Sequence, residues 1–233
     1  MRRQNVEKQG YQYPSDEEAK ALIIDIGKRI YARGFVAAND GNISCRVAKD
    51  EIWVTATNVS KGFMTEKNLV KINLDGEILE GDEKPSSETK MHLRVYRESE
   101  DLNGVVHTHP MHATAFACAG LPLDSRFLPE GIVQLGNVPC IPFAMPGTED
   151  VPNSIAPYVN KYNAVLLGNH GALTWGDSLV QAWMRMETVE YLAHITVINQ
   201  YILKKYNDFS DEEIDILLGA RSSFGIRGGS RPS

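Results

Sequence analysis

The stretch Gly104-Val105-Val106-His107-Thr108-His109-Pro110 constrains this chain more tightly than any other. A short apolar run leads into it and Pro110 closes it, so it reads as a strand that gives way to a helix through Ala119. Side chains alternate along an extended backbone, which puts His107 and His109 on one face with their Cα atoms ~7 Å apart. Two imidazoles presented from a rigid strand at that spacing suit neighbouring ligands of one tetrahedral metal ion. A third, His170, sits in Gly168-Asn169-His170-Gly171, where two further strands meet and glycine lets backbone approach a ligand closely. Three imidazoles plus one open position compose a catalytic zinc site. On composition alone the competing reading stays open: two solvent-exposed strand histidines and an unrelated turn.

The rest of the chain supplies the scaffold. Ser15-Asp16-Glu17-Glu18 has the capping-box pattern, and Ala19, Leu22, Ile23, Ile26, Ile30 and Tyr31 follow at helical spacing until Gly34. Residues 43–47 and 51–55 predict a hairpin, 57–62 a polar loop, and 65–68 a helical turn. Residues 70–79 predict a strand, a tight turn at Asp75-Gly76 and a second strand. A second helix runs from residues 85–88 to about Arg97. Residues 121–129 read as irregular, 138–143 as a strand and 150–160 as a helix. Residues 164–175 form two strands meeting at His170, and the longest helix runs from Gly176-Asp177 to about Lys205. Ser210-Asp211-Glu212-Glu213 caps a last helix. Strands and helices interleave, yet several strand pairs are joined by hairpins, which predicts an α/β layered domain with a mixed, mostly antiparallel central sheet. One domain over residues 1–220 is expected, with a mobile Gly/Ser/Arg-rich tail over 221–233.

Composition narrows the function classes. A net charge of −6 offers no basic patch of the kind nucleic-acid binders use. No apolar stretch approaches the ~20 residues that span a bilayer, and the start at Met1-Arg2-Arg3-Gln4-Asn5 leads into polar sequence rather than a signal core. Cys45, Cys118 and Cys140 make no CxxC pair, which fits small hydrophobes in a reduced, cytoplasmic setting.

Other residues carry two readings each. Pro85-Ser86-Ser87-Glu88 is either an ordinary helix start, with a carboxylate near the positive helix end, or a phosphate site built from the Ser86 and Ser87 hydroxyls and free helix amides. In the second reading Glu88 faces the substrate as proton carrier. Asn42, Thr57 and Asn58 are turn residues by default and could equally complete an anion nest. His194, on a long helix, reads as structural, and His112 as solvent-facing or supporting.

Taken together and in order, Asn39-Asp40-Gly41-Asn42-Ile43-Ser44, Pro85-Ser86-Ser87-Glu88, His107-Thr108-His109 and Asn169-His170-Gly171 resemble the class II aldolase/adducin family, which contains fuculose-1-phosphate aldolase and ribulose-5-phosphate 4-epimerase. The resemblance covers most of the chain. It implies a three-layer α/β/α sandwich, one Zn2+ per subunit on His107, His109 and His170, Glu88 as catalytic acid/base, and Asn42, Thr57, Asn58, Ser86 and Ser87 around a substrate phosphate. It also implies a homotetramer acting on a small sugar phosphate, by cleavage of a ketose 1-phosphate to dihydroxyacetone phosphate and a small aldehyde such as lactaldehyde. A 4-epimerase, a methylthioribulose-phosphate dehydratase and a non-catalytic adducin-like module are the alternatives on the same scaffold. The epimerases typically carry Asp where Glu88 stands. The chain departs from the pattern at Asn58, where the sugar-phosphate aldolases usually have glycine. It departs again on the aldehyde side, where their two tyrosines are matched by a loop containing Phe127, Leu128 and Glu130 and by Phe224 in Phe224-Gly225. A phenyl ring cannot donate a proton.

Overall fold

A computed structural model describes residues 13–226 and 228–233; the expectation for Met1 to Asn5 lies outside the described residues. The first helix, α1 (Asp16–Ala32), begins on a complete capping box, in which the Ser15 hydroxyl accepts from the Glu18 amide and the Glu18 carboxylate accepts from the Ser15 amide. Its inner face buries Ala19, Ile23, Ile26 and Ile30, and the chain leaves it through Gly34 at φ +66°.

The hairpin follows as β1 (Asn42–Ala48) and β2 (Glu51–Thr55), and the strand–turn–strand unit as β3 (Leu69–Asn73) and β4 (Ile78–Glu80). Then come α2 (Thr89–Glu98), β5 (Gly104–Thr108), α3 (Met111–Ala119), α4 (Pro129–Gln134), β6 (Cys140–Ile141) and α5 (Asp150–Val159). The last part comprises β7 (Ala164–Leu167), β8 (Gly171–Gly176), α6 (Leu179–Thr196) and α7 (Asp211–Gly219). The strands form one eight-stranded sheet in the order β4-β3-β2-β1-β5-β8-β7-β6. β6 pairs with β7 in parallel, and the other pairings are antiparallel.

Helices cover both faces, giving the α/β/α sandwich. On one side α1, α3 and α6 pack Ile23, Phe116 and Met186 against Ile43, Val106 and Leu166. On the other, α2 and α5 pack Val95 and Ile155 against Val54, Val105 and Leu173. Val105 and Val106 thus enter opposite cores, and β5 is buried on both faces, as a central strand requires.

The structure departs from expectation where local signals compete. The strand expected over 138–143 contracts to β6 because Pro139 and Pro142 cannot donate to a ladder. Val138 keeps only an isolated bridge to Leu123. Helix α4, which the sequence reading leaves out, begins where the irregular stretch ends, with Pro129 at its first turn, where a missing amide costs nothing. Gly176 belongs to β8, so α6 starts instead on the Ser178 cap, and after Thr196 it continues as π-helix over Val197–Leu203. The described residues of the last segment lie against α4, α7 and the loop before α4. The Arg221 guanidinium donates to the carbonyls of Ile132, Val133 and Gly229, Arg231 pairs with Asp211 and Asp215, and the Ser233 amide donates to Asp124. Among the described residues no helix is long and apolar enough to cross a membrane.

Candidate active site

The site forms where the central strands end. Asn42, at the start of β1, pairs directly across from His107 on β5, and Thr108 pairs with Ala172 on β8. The Phe35 carbonyl accepts from the His109 amide just past the strand end. From these positions His107, His109 and His170 converge, with one ring nitrogen of each lying within 4.8 Å of the others. His107 Nε2 and His109 Nε2 are 3.0 Å apart. The Ala172 carbonyl accepts from His107 Nδ1 at 2.9 Å, which fixes the tautomer and leaves Nε2 bare toward the cluster. Burial holds His107 neutral by pushing it down to about 3, against the opposing pull of Glu88. Burial also lowers His109, whose Nδ1 lies 3.5 Å from the Asp40 carboxylate. Three imidazoles converging on one point, with His107 braced from behind by a carbonyl and His109 by a carboxylate, are what a metal ion needs, so the donor set fits one. Gly171 is required here, since a Cβ at that position would stand 2.5 Å from His109 Cδ2 and 2.7 Å from the Thr108 carbonyl.

Glu88 stands at the edge of this triad, 3.1 Å from His170 Nε2 and 3.5 Å from His107 Nε2. Burial alone would raise its carboxyl. His107, His170 and the Asn42 amide more than offset that and hold it below the usual carboxylate range. Glu88 is the N-cap of α2 by position, but its side chain makes no capping bond. Its carboxylate points to the histidines instead, and the Ser86 hydroxyl takes the Glu88 amide at 3.3 Å.

A cleft of about 250 Å³ opens beside Glu88, His109 and His170, lined by Thr57, Asn58, Ser86 and Ser87. Asn58 adopts φ +58°. Asparagine tolerates that left-handed conformation better than any other side-chain-bearing residue, so it can stand for the glycine expected there with the turn intact. Asn42 lies deeper. Its side-chain nitrogen donates to Glu88 at 2.7 Å and to Ser86 at 3.4 Å, and its oxygen meets His92 Nε2 at 2.5 Å. In this structure Asn42 both lines the cleft and braces the carboxylate.

Two contributors escape a reading of the sequence alone. Lys61 is 1% exposed, and its ammonium donates to the carbonyls of Asn39 and Val59, strapping one cleft loop to the other. Burial pushes it down to about 8 in spite of Asp40 and Glu88. His92 is buried behind Asn42. The signals were present, a lysine inside a polar loop and a histidine on the inner face of α2, but neither spacing says what it would meet. Where the resemblance implies an aldehyde side, Phe224 is exposed, and Phe127 packs against Tyr206 with ring centroids 5.5 Å apart. A phenol thus stands beside the loop where the resemblance expects a tyrosine.

His92 gives the metal-free protein an acid-sensitive component. Burial pushes it from 6.5 down to about 4, with Glu88 opposing. Its unfolded form takes a proton first as pH falls, so its contribution is complete above 6.5, is lost between 6.5 and about 4, and falls no further below that. The depression corresponds to about 3 kcal/mol. Denaturant midpoints at pH 7.5, 5.5 and 4.5 should fall more steeply for the native chain than for His92→Gln, and equal slopes would remove this assignment.

Known proteins share both the sequence and the architecture. A family model for the class II aldolase and adducin N-terminal domain matches residues 21–197. The 3-oxo-tetronate 4-phosphate decarboxylase of Escherichia coli is 34% identical over 178 residues, covering 74% of this chain and 83% of that protein. The L-fuculose phosphate aldolase of Methanococcus maripaludis is 30% identical over 175 residues, covering 75% and 94%. A solved L-fuculose 1-phosphate aldolase superposes with a TM-score of 0.81 at 27% identity, covering 93% of this chain and 100% of that one. With the match running from α1 to the end of α6, and with the histidine triad and Glu88 assembled inside it, the chain belongs to the class II aldolase and adducin family.

Proposed function

We propose that this chain is a zinc-dependent lyase that breaks a carbon–carbon bond in a short sugar phosphate and releases dihydroxyacetone phosphate, with a ketose 1-phosphate such as L-fuculose 1-phosphate as substrate and a small aldehyde such as lactaldehyde as second product. The observation that carries this reading is the Glu88 carboxylate held 3.1 Å from His170 Nε2 at the mouth of a cleft lined by Ser86, Ser87, Thr57 and Asn58. His107, His109 and His170 would hold the zinc ion, which when bound would supply Lewis-acid polarisation. The hydroxyls and amides of Thr57, Asn58, Ser86 and Ser87 hold the phosphate and so fix which carbon faces Glu88. As the bond breaks, the hydroxyl proton of the departing half passes through solvent to the Glu88 carboxylate, and the bond's electron pair passes into an enediolate. Glu88 delivers a proton to the enediolate carbon, or removes it when the reaction runs as condensation. An assembly of four copies, with sites near subunit boundaries, goes with this reading.

A second reading has its own support. Relatives at up to 34% identity are named 3-oxo-tetronate 4-phosphate decarboxylase, and Phe224 stands where the aldolases carry a tyrosine. Loss of CO2 from a 3-oxo acid leaves the same enediolate, and Glu88 again protonates it. The departing half is CO2, which has no hydroxyl proton for the protein to manage, so a phenylalanine there is no handicap. Zinc-loaded protein should be offered both substrates, with dihydroxyacetone phosphate, aldehyde and CO2 assayed. Aldehyde from the first supports the aldolase, CO2 from the second supports the decarboxylase, and no dihydroxyacetone phosphate from either sinks the lyase reading.

A further inference from the structure

Behind Glu88 a chain of polar side chains runs into the core. Asn42 Nδ2 is 2.7 Å from Glu88 Oε2, and Asn42 Oδ1 is 2.5 Å from His92 Nε2. His92 Nδ1 is 2.7 Å from Ser44 Oγ, which is 2.8 Å from the Tyr96 hydroxyl. Asn42, Ser44, His92 and Tyr96 are each no more than 2% exposed. They come from two elements only, β1 and α2, and the second also carries Glu88 at its cap.

The direction of every bond in this chain follows from its first member. An ionised carboxylate only accepts, so Asn42 must turn its NH2 toward Glu88 and its oxygen toward His92. That oxygen only accepts, so the proton of neutral His92 must sit on Nε2, and Nδ1 is bare. Nδ1 then accepts from the Ser44 hydroxyl, leaving the Ser44 oxygen to accept from Tyr96. Each donor therefore points toward Glu88. Bonds aligned head to tail polarise one another, and a buried network with all these bonds made has one low-energy arrangement.

We propose that His92, Ser44 and Tyr96 are positioning residues which, through Asn42, lock the Glu88 carboxylate in the single orientation that serves proton transfer. The inference rests on Glu88 being the proton carrier of the lyase. Asn42 has two possible amide orientations and only one presents a donor to Glu88. Glu88 sets which side of the amide faces it, and His92 holds the far side in place. Without a donor from residue 92 the Asn42 oxygen is buried and unpaired, so the amide loses the anchor that fixes where it donates to the carboxylate.

The test has one arm without turnover and one with it. Histidine ring 15N spectra at pH 7.5 should show His92, identified by the signals missing from His92→Gln, protonated at Nε2 and bare at Nδ1, in metal-free and zinc-loaded protein alike. The Nδ1-protonated tautomer overturns the proposal. The kinetic arm follows exchange of the hydroxymethyl proton of dihydroxyacetone phosphate with D2O, which needs no knowledge of the departing half. His92→Phe should lower the saturated exchange rate about 10- to 100-fold, the scale of a misplaced catalytic group, with KM and zinc content within about twofold of the native chain. His92→Gln, whose amide offers a donor and an acceptor at similar separation, should restore most of the rate. Should His92→Phe fail to fold, Tyr96→Phe and Ser44→Ala serve in its place, with Ser44→Ala the larger loss. Full exchange in these variants, or a loss that only tracks zinc content, overturns the proposal. Absence of exchange in the native chain would instead count against the lyase reading, and the tautomer would still decide the relay.

Discussion

Glu88→Gln is expected to retain one zinc per chain and an unchanged KM for dihydroxyacetone phosphate while losing about 10²- to 10⁴-fold in turnover, the range for removal of a positioned acid/base. Glutamine keeps the shape of the side chain, and its amide oxygen can still accept from Asn42, which donates to Glu88 at 2.7 Å. What it cannot do is carry a proton to or from carbon. The cleft-lining groups of Thr57, Asn58, Ser86 and Ser87, proposed above to hold the phosphate, are other side chains than this carboxylate, which is why the loss should fall on turnover rather than on KM. Metal analysis beside the exchange assay checks both halves. A glutamine variant with near-native exchange would strip Glu88 of its role.

His109→Ala has the other large effect, and of a different kind. It should abolish stoichiometric zinc binding together with all measurable activity, and leave the fold in place. Two imidazoles remain after the change, too few for the three-ligand cradle of a catalytic zinc site. His109 lies beyond the end of β5 rather than inside either core, and is 23% exposed at its side chain, so little packing is lost. Zinc content after dialysis, with circular dichroism to show that the fold persists, is the measurement. One equivalent of zinc retained in the variant would show that the ion is held elsewhere.

What could be read from the sequence divides along the range of the interactions involved. The capping boxes at Ser15 and Ser210 are complete within four residues, and both appear as written. The alternation that paired His107 with His109 is equally local, and the rings meet. By contrast, Asn42 and His92 are 50 positions apart, and no property of either predicts a 2.5 Å contact. The sheet register creates it by bringing the start of β1 under α2. Lys61 escaped for the same reason, since a lysine in a polar loop ordinarily points to water. Its carbonyl partner Asn39 lies 22 positions away. The prolines at 139 and 142 were visible and simply outweighed by the apolar residues around them.

The bond from His107 Nδ1 to the Ala172 carbonyl ties ligand chemistry to strand alignment. Between β5 and β8 the native ladder sets Thr108 opposite Ala172 and His107 opposite Leu173. Sliding β5 by one position would carry His107 into the opposite layer and withdraw the carbonyl that selects its tautomer. His170, on the turn into β8, would then face an empty strand end. A mispaired chain thus has no three-histidine cradle for a metal ion, so metal uptake is expected to discriminate native from near-native products during refolding. Metal stoichiometry of a purified batch would accordingly report the fraction of chains whose central strands have found the right alignment.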